Sequence, residues 1–368
     1  MAELLETALI NQHRELGASL TDFAGWSMPL RYSSDRAEHA AVRKHAGLFD
    51  LSHMAQIEVE GPGAGAALDA SLVTQPSQME IGRARYTLML AQDGGILDDL
   101  IVYRLAVDSY LVVANASNRL LVRDELTARA DTLEFPDGRA SITDTTLHRA
   151  LMAIQGPRSK EIVSGLLPDR ERELLEGLGY YRVCDVHIGG PVRLARTGYT
   201  GETGYELMMP ATSAAQVWNK ALTIGKDDGL IPCGLASRDT LRLEAGMALY
   251  GHELSRDLSP KDVGLASLVK DHQFVGRAAL GERPQEWDQY GLVGQGRRAA
   301  RAGCAVSLDG ESIGQITSGV FSPTLEFPIA LARMRPGISD GTPVDVDVRG
   351  KSQTMTVSPF PFYSRTRH

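Results

Sequence analysis

Apolar positions recur along this chain with two periods, and each predicts a different element. Alternation with period two marks strands at Gln56 to Glu60, Arg85 to Leu90, Leu100 to Leu105, Ser109 to Val113, Ala150 to Ile154, Val192 to Arg196 and Tyr205 to Met209. Helical patterns interrupt them at Asp35 to His45, Gly63 to Leu72, Asn118 to Arg129, Ser159 to Leu167, Thr212 to Ile224 and Ser237 to Gly246. Several of these open on Ser, Thr, Asp or Asn, the residues that cap free amides. Strands and helices do not alternate one for one, which favours an α+β fold of mainly antiparallel sheets over a doubly wound parallel sheet. Beyond Arg283 the pattern changes to short strands between Gly and Pro turns, at Gly303 to Val306, Gly314 to Thr317 and Val344 to Val348, and predicts a separate small barrel or sandwich. No long repeat or low-complexity tract intervenes, so linkers are expected to be short.

At 368 residues the chain predicts two or three domains. The balance of 38 basic against 46 acidic residues argues against nucleic acid or an anionic membrane as the main partner. Cys184, Cys233 and Cys304 are too few and too scattered for a disulfide framework or a zinc site, and fit a reducing compartment. No run reaches the roughly twenty apolar residues of a membrane helix, and the acidic start Met1 to Glu6 reads as neither a secretory nor an organelle leader. A cytoplasmic enzyme or binding protein is the expectation.

Three segments carry candidate chemistry. In Asp93 to Tyr103, Asp98 and Asp99 stand between a glycine turn and an apolar strand, so one should face inward and one outward. An inward carboxylate needs hydrogen bonds or a polar ligand. The plainer alternative is that both cap the turn at Gly94-Gly95. In Arg196 to Leu207, glycines at 198, 201 and 204 would leave two tyrosines and two glutamates displayed. A carboxylate such as Glu206 can accept two donors from an amino-imino heterocycle edge, and a tyrosine offers a flat face, so a pterin-like ligand competes here with a plain surface hairpin. Ser237 to Gly246 reads as a capped helix ending at a glycine, with Arg238 and Arg242 on one face; Asp239 and Glu244 could neutralise them, or a ligand carboxylate could. Gly61-Pro62-Gly63-Ala64-Gly65 lacks the third glycine of a dinucleotide loop and reads as a strand-to-helix turn. His53 has no motif partner and reads as a hydrogen-bonded structural histidine.

Taken together the motifs resemble the glycine cleavage T-protein family of tetrahydrofolate-dependent aminomethyltransferases. The resemblance runs through Phe23 to Pro29, Gly47 to Met54, Gly82 to Thr87, the Asp98-Asp99 strand, Gln155-Gly156-Pro157, Arg196 to Glu206, Cys233-Gly234-Leu235, Arg238 to Tyr250 and Thr317 to Thr324. It implies a three-domain cloverleaf around a central folate cavity. The first domain would comprise residues 1–50 and 138–265 and the second 51–137, with a C-terminal barrel over 283–368 joined through 266–282. It implies transfer of a methylene carbon from the aminomethyl-lipoyl arm of H-protein to tetrahydrofolate, with release of ammonia. Position by position, Asp99 matches the functional aspartate, Tyr86 and Tyr103 match folate-contacting tyrosines, and Tyr199, Glu206 and Arg238 match further ligand contacts. Asn115, Arg301 and Tyr363 match more weakly, near the cavity or the lipoyl approach. The implied partners are tetrahydrofolate, as co-substrate, and lipoylated H-protein; no metal is implied. Departures occur at Gln75-Pro76-Ser77, Ala266-Ser267, Asp271 to Phe274 and Glu326-Phe327-Pro328. They bear on the partner surface and donor identity more than on folate binding. Two related readings are a folate-dependent demethylase of a small methyl donor and a non-catalytic folate-binding accessory protein; the latter's Lys-Gly-Cys-Tyr-x-Gly-Gln signature has no counterpart at His272 to Arg277.

Overall fold

The structure is a computed structural model and describes residues 3–133 and 138–365. The chain divides into two compact units, one of residues 1–87, 100–198 and 202–238 and the other of residues 88–99, 199–201 and 239–368.

The first unit is built on two sheets and a hairpin. The larger sheet has six strands in the order Val183–His187, Pro191–Ala195, Gly204–Pro210, Arg149–Gln155, Ala46–Asp50 and Leu230–Pro232, all antiparallel neighbours except the last pair. The other orders Ala84–Leu90, Ile96–Ala106, Ser109–Ala114, Ala55–Glu60 and Ser141–Asp144. Its first two strands run on into the second unit. Register decides which side chains share a face. In the larger sheet Ala195, Glu206, Ala153 and Phe49 lie in one row. In the other, Tyr103, Leu111 and Glu58 lie in one row. These two faces meet: Tyr103 reaches Glu206, and Glu58 pairs with Arg149 and Arg193. The opposite face of the larger sheet buries Leu48, Ile154, Tyr205 and Leu207 against the helices Ser159–Leu166 and Ala214–Ile224, whose Ile162, Val163, Val217 and Trp218 are fully buried.

Most predicted strands and helices fall within one or two residues of observed ones, whereas Leu100 to Leu105 and Gly314 to Thr317 are the interiors of the longer strands Ile96–Ala106 and Glu311–Phe321. Asp35–Lys44 starts as expected, with the Ser34 hydroxyl accepting the Ala37 amide. The helix read as Ser237 to Gly246 needs correction. It spans Leu235–Glu244, so Ser237 lies inside it and its hydroxyl donates to the Gly234 carbonyl; the glycine stop is as read, with Gly246 at φ +66°. Strand Ala46–Asp50 escaped the pattern because all five residues are buried and nothing alternates.

In the second unit six strands close into a barrel: Asp288–Gly294, Pro328–Met334, Glu311–Phe321, Ala305–Leu308, Pro343–Asp347 and Ser352–Ser358, the last pairing back onto the first. Its interior is Leu292, Val306, Ile316, Ala332, Val346 and Val357. The change of pattern near Arg283 therefore marks the approach to the barrel. Among the described residues no helix is long and apolar enough to cross a membrane.

Candidate active site

Glu206 is the best-defined candidate in the first unit. It sits mid-sheet with 7 % of its surface exposed. The Tyr103 hydroxyl, 3.2 Å away, and the Thr197 hydroxyl both donate to its Oε2. No donor among the described residues reaches Oε1. The carboxylate is thus fixed through one oxygen and offers the other. Burial, then the Glu206 charge, push the Tyr103 phenol well above its usual pKa, so it stays a neutral donor. Thr197, which no motif singled out, is buried and 3.3 Å from the Tyr103 hydroxyl.

The neighbouring glycines have a steric reason. A Cβ on Gly198 or Gly204 would fall 2.1 Å or 2.2 Å from the Gln155 carboxamide, whose Nε2 donates to the Thr197 carbonyl. The expectation that four polar side chains stand displayed is corrected: Tyr205 packs in the core, and Glu202 is buried in an ion pair with Arg43 at 2.9 Å. Tyr199 is half-buried and belongs to the second unit, where its hydroxyl donates to the Ala248 carbonyl.

Of the other first-unit candidates, Tyr86 is half-buried on strand Ala84–Leu90, and Asn115 is half-buried just after strand Ser109–Ala114, its carbonyl accepting from the Asn118 amide. Arg238 is half-buried on its helix and close enough to His53 to act on its charge. His53 is not the hydrogen-bonded histidine expected: it is buried edge-on to Phe23, with no partner for Nδ1 among the described residues. Burial lowers its pKa to about 4, with Arg238 acting in the same direction and Asp50 opposing, so the ring is neutral at pH 7.

In the second unit the aspartate pair divides as the strand period requires. Asp98 is fully buried and Asp99 half-buried, the third and fourth residues of strand Ile96–Ala106. The turn-capping alternative fails, because Asp93 does that work: its Oδ1 accepts the Gly95 amide at 3.1 Å and it pairs with Arg256. Tyr250, which sequence reasoning did not single out, stands beside the pair. Its hydroxyl donates to the Ile96 carbonyl at 3.2 Å, and burial, then the Asp98 charge, raise its pKa.

Arg242 is fully buried and held by Glu253 at 2.8 Å, Asp239 at 2.8 Å, the Ser318 hydroxyl and the Met247 carbonyl. Asp239 is the neutralising partner expected. Glu244 accepts from the Ser322 and Thr324 hydroxyls. Tyr363 is half-buried, its amide donating to the Glu244 carbonyl, while Arg301 is exposed and donates to the Gly319 carbonyl of the barrel.

Comparison with known proteins decides what this framework belongs to. The model of the GCVT N-terminal domain matches residues 9–273, and that of the glycine cleavage T-protein C-terminal barrel domain matches residues 289–364. The chain belongs to the glycine cleavage T-protein family. Among its relatives, an aminomethyltransferase of Cutibacterium acnes is 49 % identical over all of both chains, and one of Streptomyces avermitilis is 50 % identical over 98 % of each. The crystal structure of glycine cleavage system aminomethyltransferase T from Bartonella henselae superposes with a TM-score of 0.88 at 35 % identity, covering 98 % of each chain. The α+β fold with its terminal barrel and the aminomethyltransferase class are thus those of the T-protein family.

Proposed function

We propose that this T-protein takes the methylene carbon of an aminomethyl group carried on the lipoyl arm of H-protein, transfers it to tetrahydrofolate, and releases ammonia and the dihydrolipoyl arm. The observation that carries the folate part is the half-spent carboxylate of Glu206. Its Oε2 is satisfied by Tyr103 and Thr197, and its Oε1 is left for a ligand donor. A pterin ring presents an amino and an imino N–H side by side, and a carboxylate is the acceptor-only group that matches them. Tetrahydrofolate supplies the two nitrogens that take up the carbon. Tyr86, Tyr103, Asn115, Tyr199, Arg238 and Tyr363 are the proposed ligand contacts, with Arg301 toward the lipoyl approach.

Asp99 is the proposed catalytic residue. It is the more exposed of the pair, on a rigid strand, with Asp98 buried next to it and Tyr250 nearby. A carboxylate held there orients the reacting nitrogens and stabilises positive charge that develops as the carbon moves. That role belongs to the transition state more than to the bound ground state. Asp99→Asn should therefore lower kcat by at least about a hundredfold and leave the tetrahydrofolate Kd within a few-fold. The test is formation of methylenetetrahydrofolate and ammonia from aminomethylated H-protein and tetrahydrofolate. Wild-type protein that binds folate yet turns over no lipoyl-protein donor would overturn the reading.

A further inference from the structure

Where the two sheets of the first unit meet, charge is out of balance. Glu58 on strand Ala55–Glu60 faces two arginines of the larger sheet: its Oε1 accepts from Arg149 Nη2, and Arg193 Nη1 lies 3.6 Å from the same oxygen. At that distance the second contact is attraction between charges and not a hydrogen bond. The other acid near Arg193 among the described residues is Asp185, no closer than 3.7 Å and 82 % exposed, so water screens it. Two largely buried guanidinium charges therefore share one largely buried carboxylate, and Arg149 already occupies it.

Two polar groups in the same layer are left unbonded. Arg193 Nη1 is buried and has no hydrogen-bond partner among the described residues. The same holds for both Nε2 and Oε1 of Gln56, a side chain with no exposed surface. Gln56 stands two residues before Glu58 on the strand and so shares the face that meets the larger sheet. Its backbone is satisfied, the N–H by the Thr146 hydroxyl at 3.0 Å and the carbonyl by the Thr145 amide and hydroxyl. The cross-strand neighbours are apolar, Val113 beside Gln56 and Met208 beside Arg193, so neither can pair with these groups. Buried polar groups in folded proteins are paired with few exceptions. Because both amide atoms of Gln56 are unbonded, turning the amide over does not change the count.

We infer that Gln56 and Arg193 form a binding site for a small, planar, singly charged oxyanion, and that bicarbonate is the ligand that fits it. One negative charge matches the surplus left when Glu58 is shared between two arginines. Arg193 Nη1 and Gln56 Nε2 need acceptors, and a guanidinium is matched best by a planar oxyanion. Gln56 Oε1 needs a donor, which bicarbonate supplies through its hydroxyl and a simple carboxylate lacks. Alternate residues of a strand stand about 6.8 Å apart, so Gln56 and the guanidinium held near Glu58 can both reach one such anion. None of these residues is among the proposed folate contacts, and the inference stands apart from that reading.

The experiment is titration of the full-length protein with sodium bicarbonate, replacing chloride at constant ionic strength and mildly alkaline pH, read by calorimetry and by thermal midpoint, with sodium formate in parallel. Wild type should show saturable heat and a rising midpoint with bicarbonate, and weaker binding of formate. Arg193→Met and Gln56→Leu each remove a hydrogen bond to a charged ligand and should weaken bicarbonate binding by about 10- to 150-fold. Wild type that gives no saturable heat, or a midpoint that bicarbonate and chloride move equally, overturns the inference without any variant having to fold. Bicarbonate binding within twofold of wild type in a folded Arg193→Met or Gln56→Leu overturns it as well. Formate bound as tightly as bicarbonate would refute the pairing of Gln56 Oε1 with the ligand hydroxyl.

Discussion

Replacing Glu206 by Gln tests the site at the atom on which it turns. In wild type both protein donors, Tyr103 and Thr197, go to Oε2. Glutamine can satisfy the same two hydroxyls with its one carbonyl oxygen, so the fold has little reason to change, and the amide NH2 then occupies the place of Oε1. A ligand donor that met an acceptor now meets a donor. One hydrogen bond to a charged group is lost, about 1.5–3 kcal/mol, and each 1.4 kcal/mol is tenfold in Kd. The expected weakening of tetrahydrofolate binding is therefore about 10- to 150-fold, with kcat at saturating folate within a few-fold of wild type. Calorimetry gives the Kd, and the H-protein assay gives kcat and KM separately. A variant whose kcat collapses while its Kd is unchanged would refute the reasoning, because Glu206 would then act on the transition state rather than grip the ring. Denaturant midpoints of the two proteins should agree, which guards against a loss of fold read as a loss of affinity.

The remaining predictions concern stability. Arg242→Met strands the fully buried Glu253, whose partner it is at 2.8 Å, and should cost about 3–5 kcal/mol in urea unfolding; adding Glu253→Gln should restore part of that, and a single mutant with unchanged midpoint would show the pair to be dispensable. His53 carries a folded-state pKa of about 4 against an unfolded 6.5 because burial disfavours its charged form. The unfolded state therefore binds more protons between those values, so stability is full above pH 6.5 and falls as the pH drops toward 4, by about 3 kcal/mol in all. His53→Phe should flatten that part of the stability profile, and an unchanged slope between pH 6.5 and 4 would refute the assignment. Gly204→Ala puts a Cβ 2.2 Å from Gln155 Nε2 and should cost about 1–3 kcal/mol. Gln155→Ala in the same chain should relieve the clash, and strict additivity of the two changes would contradict it.

How far the site could be read from the sequence depended on how far apart its parts lie along the chain. Alternation is a local property, so strands such as Ser109–Ala114 and Arg149–Gln155 were legible almost to the residue. Ala46–Asp50 was not, because its burial on both sides removes the alternation, and because what makes Asp50 tolerable there, His13 Nε2 at 2.8 Å and the Thr7 hydroxyl at 2.7 Å, lies about forty residues away. Glu206 stood out by its setting among glycines, yet its partners had to come from the fold: Tyr103 is on the strand of another sheet, and Thr197 enters only because the hairpin turns back on itself. Asp98 and Asp99 show the same limit from the other direction. The period of two fixed that they face opposite ways, but which one is buried depends on what packs on each face of Ile96–Ala106, and the capping role offered to them was already filled by Asp93 five residues earlier. Tyr181 is the extreme case. A left-handed backbone is normally announced by glycine, and here the bonds from Ala84 and to Arg196 hold a tyrosine in that conformation, leaving the sequence no sign of it. A conformation set by distant backbone bonds becomes visible only when those bonds are seen.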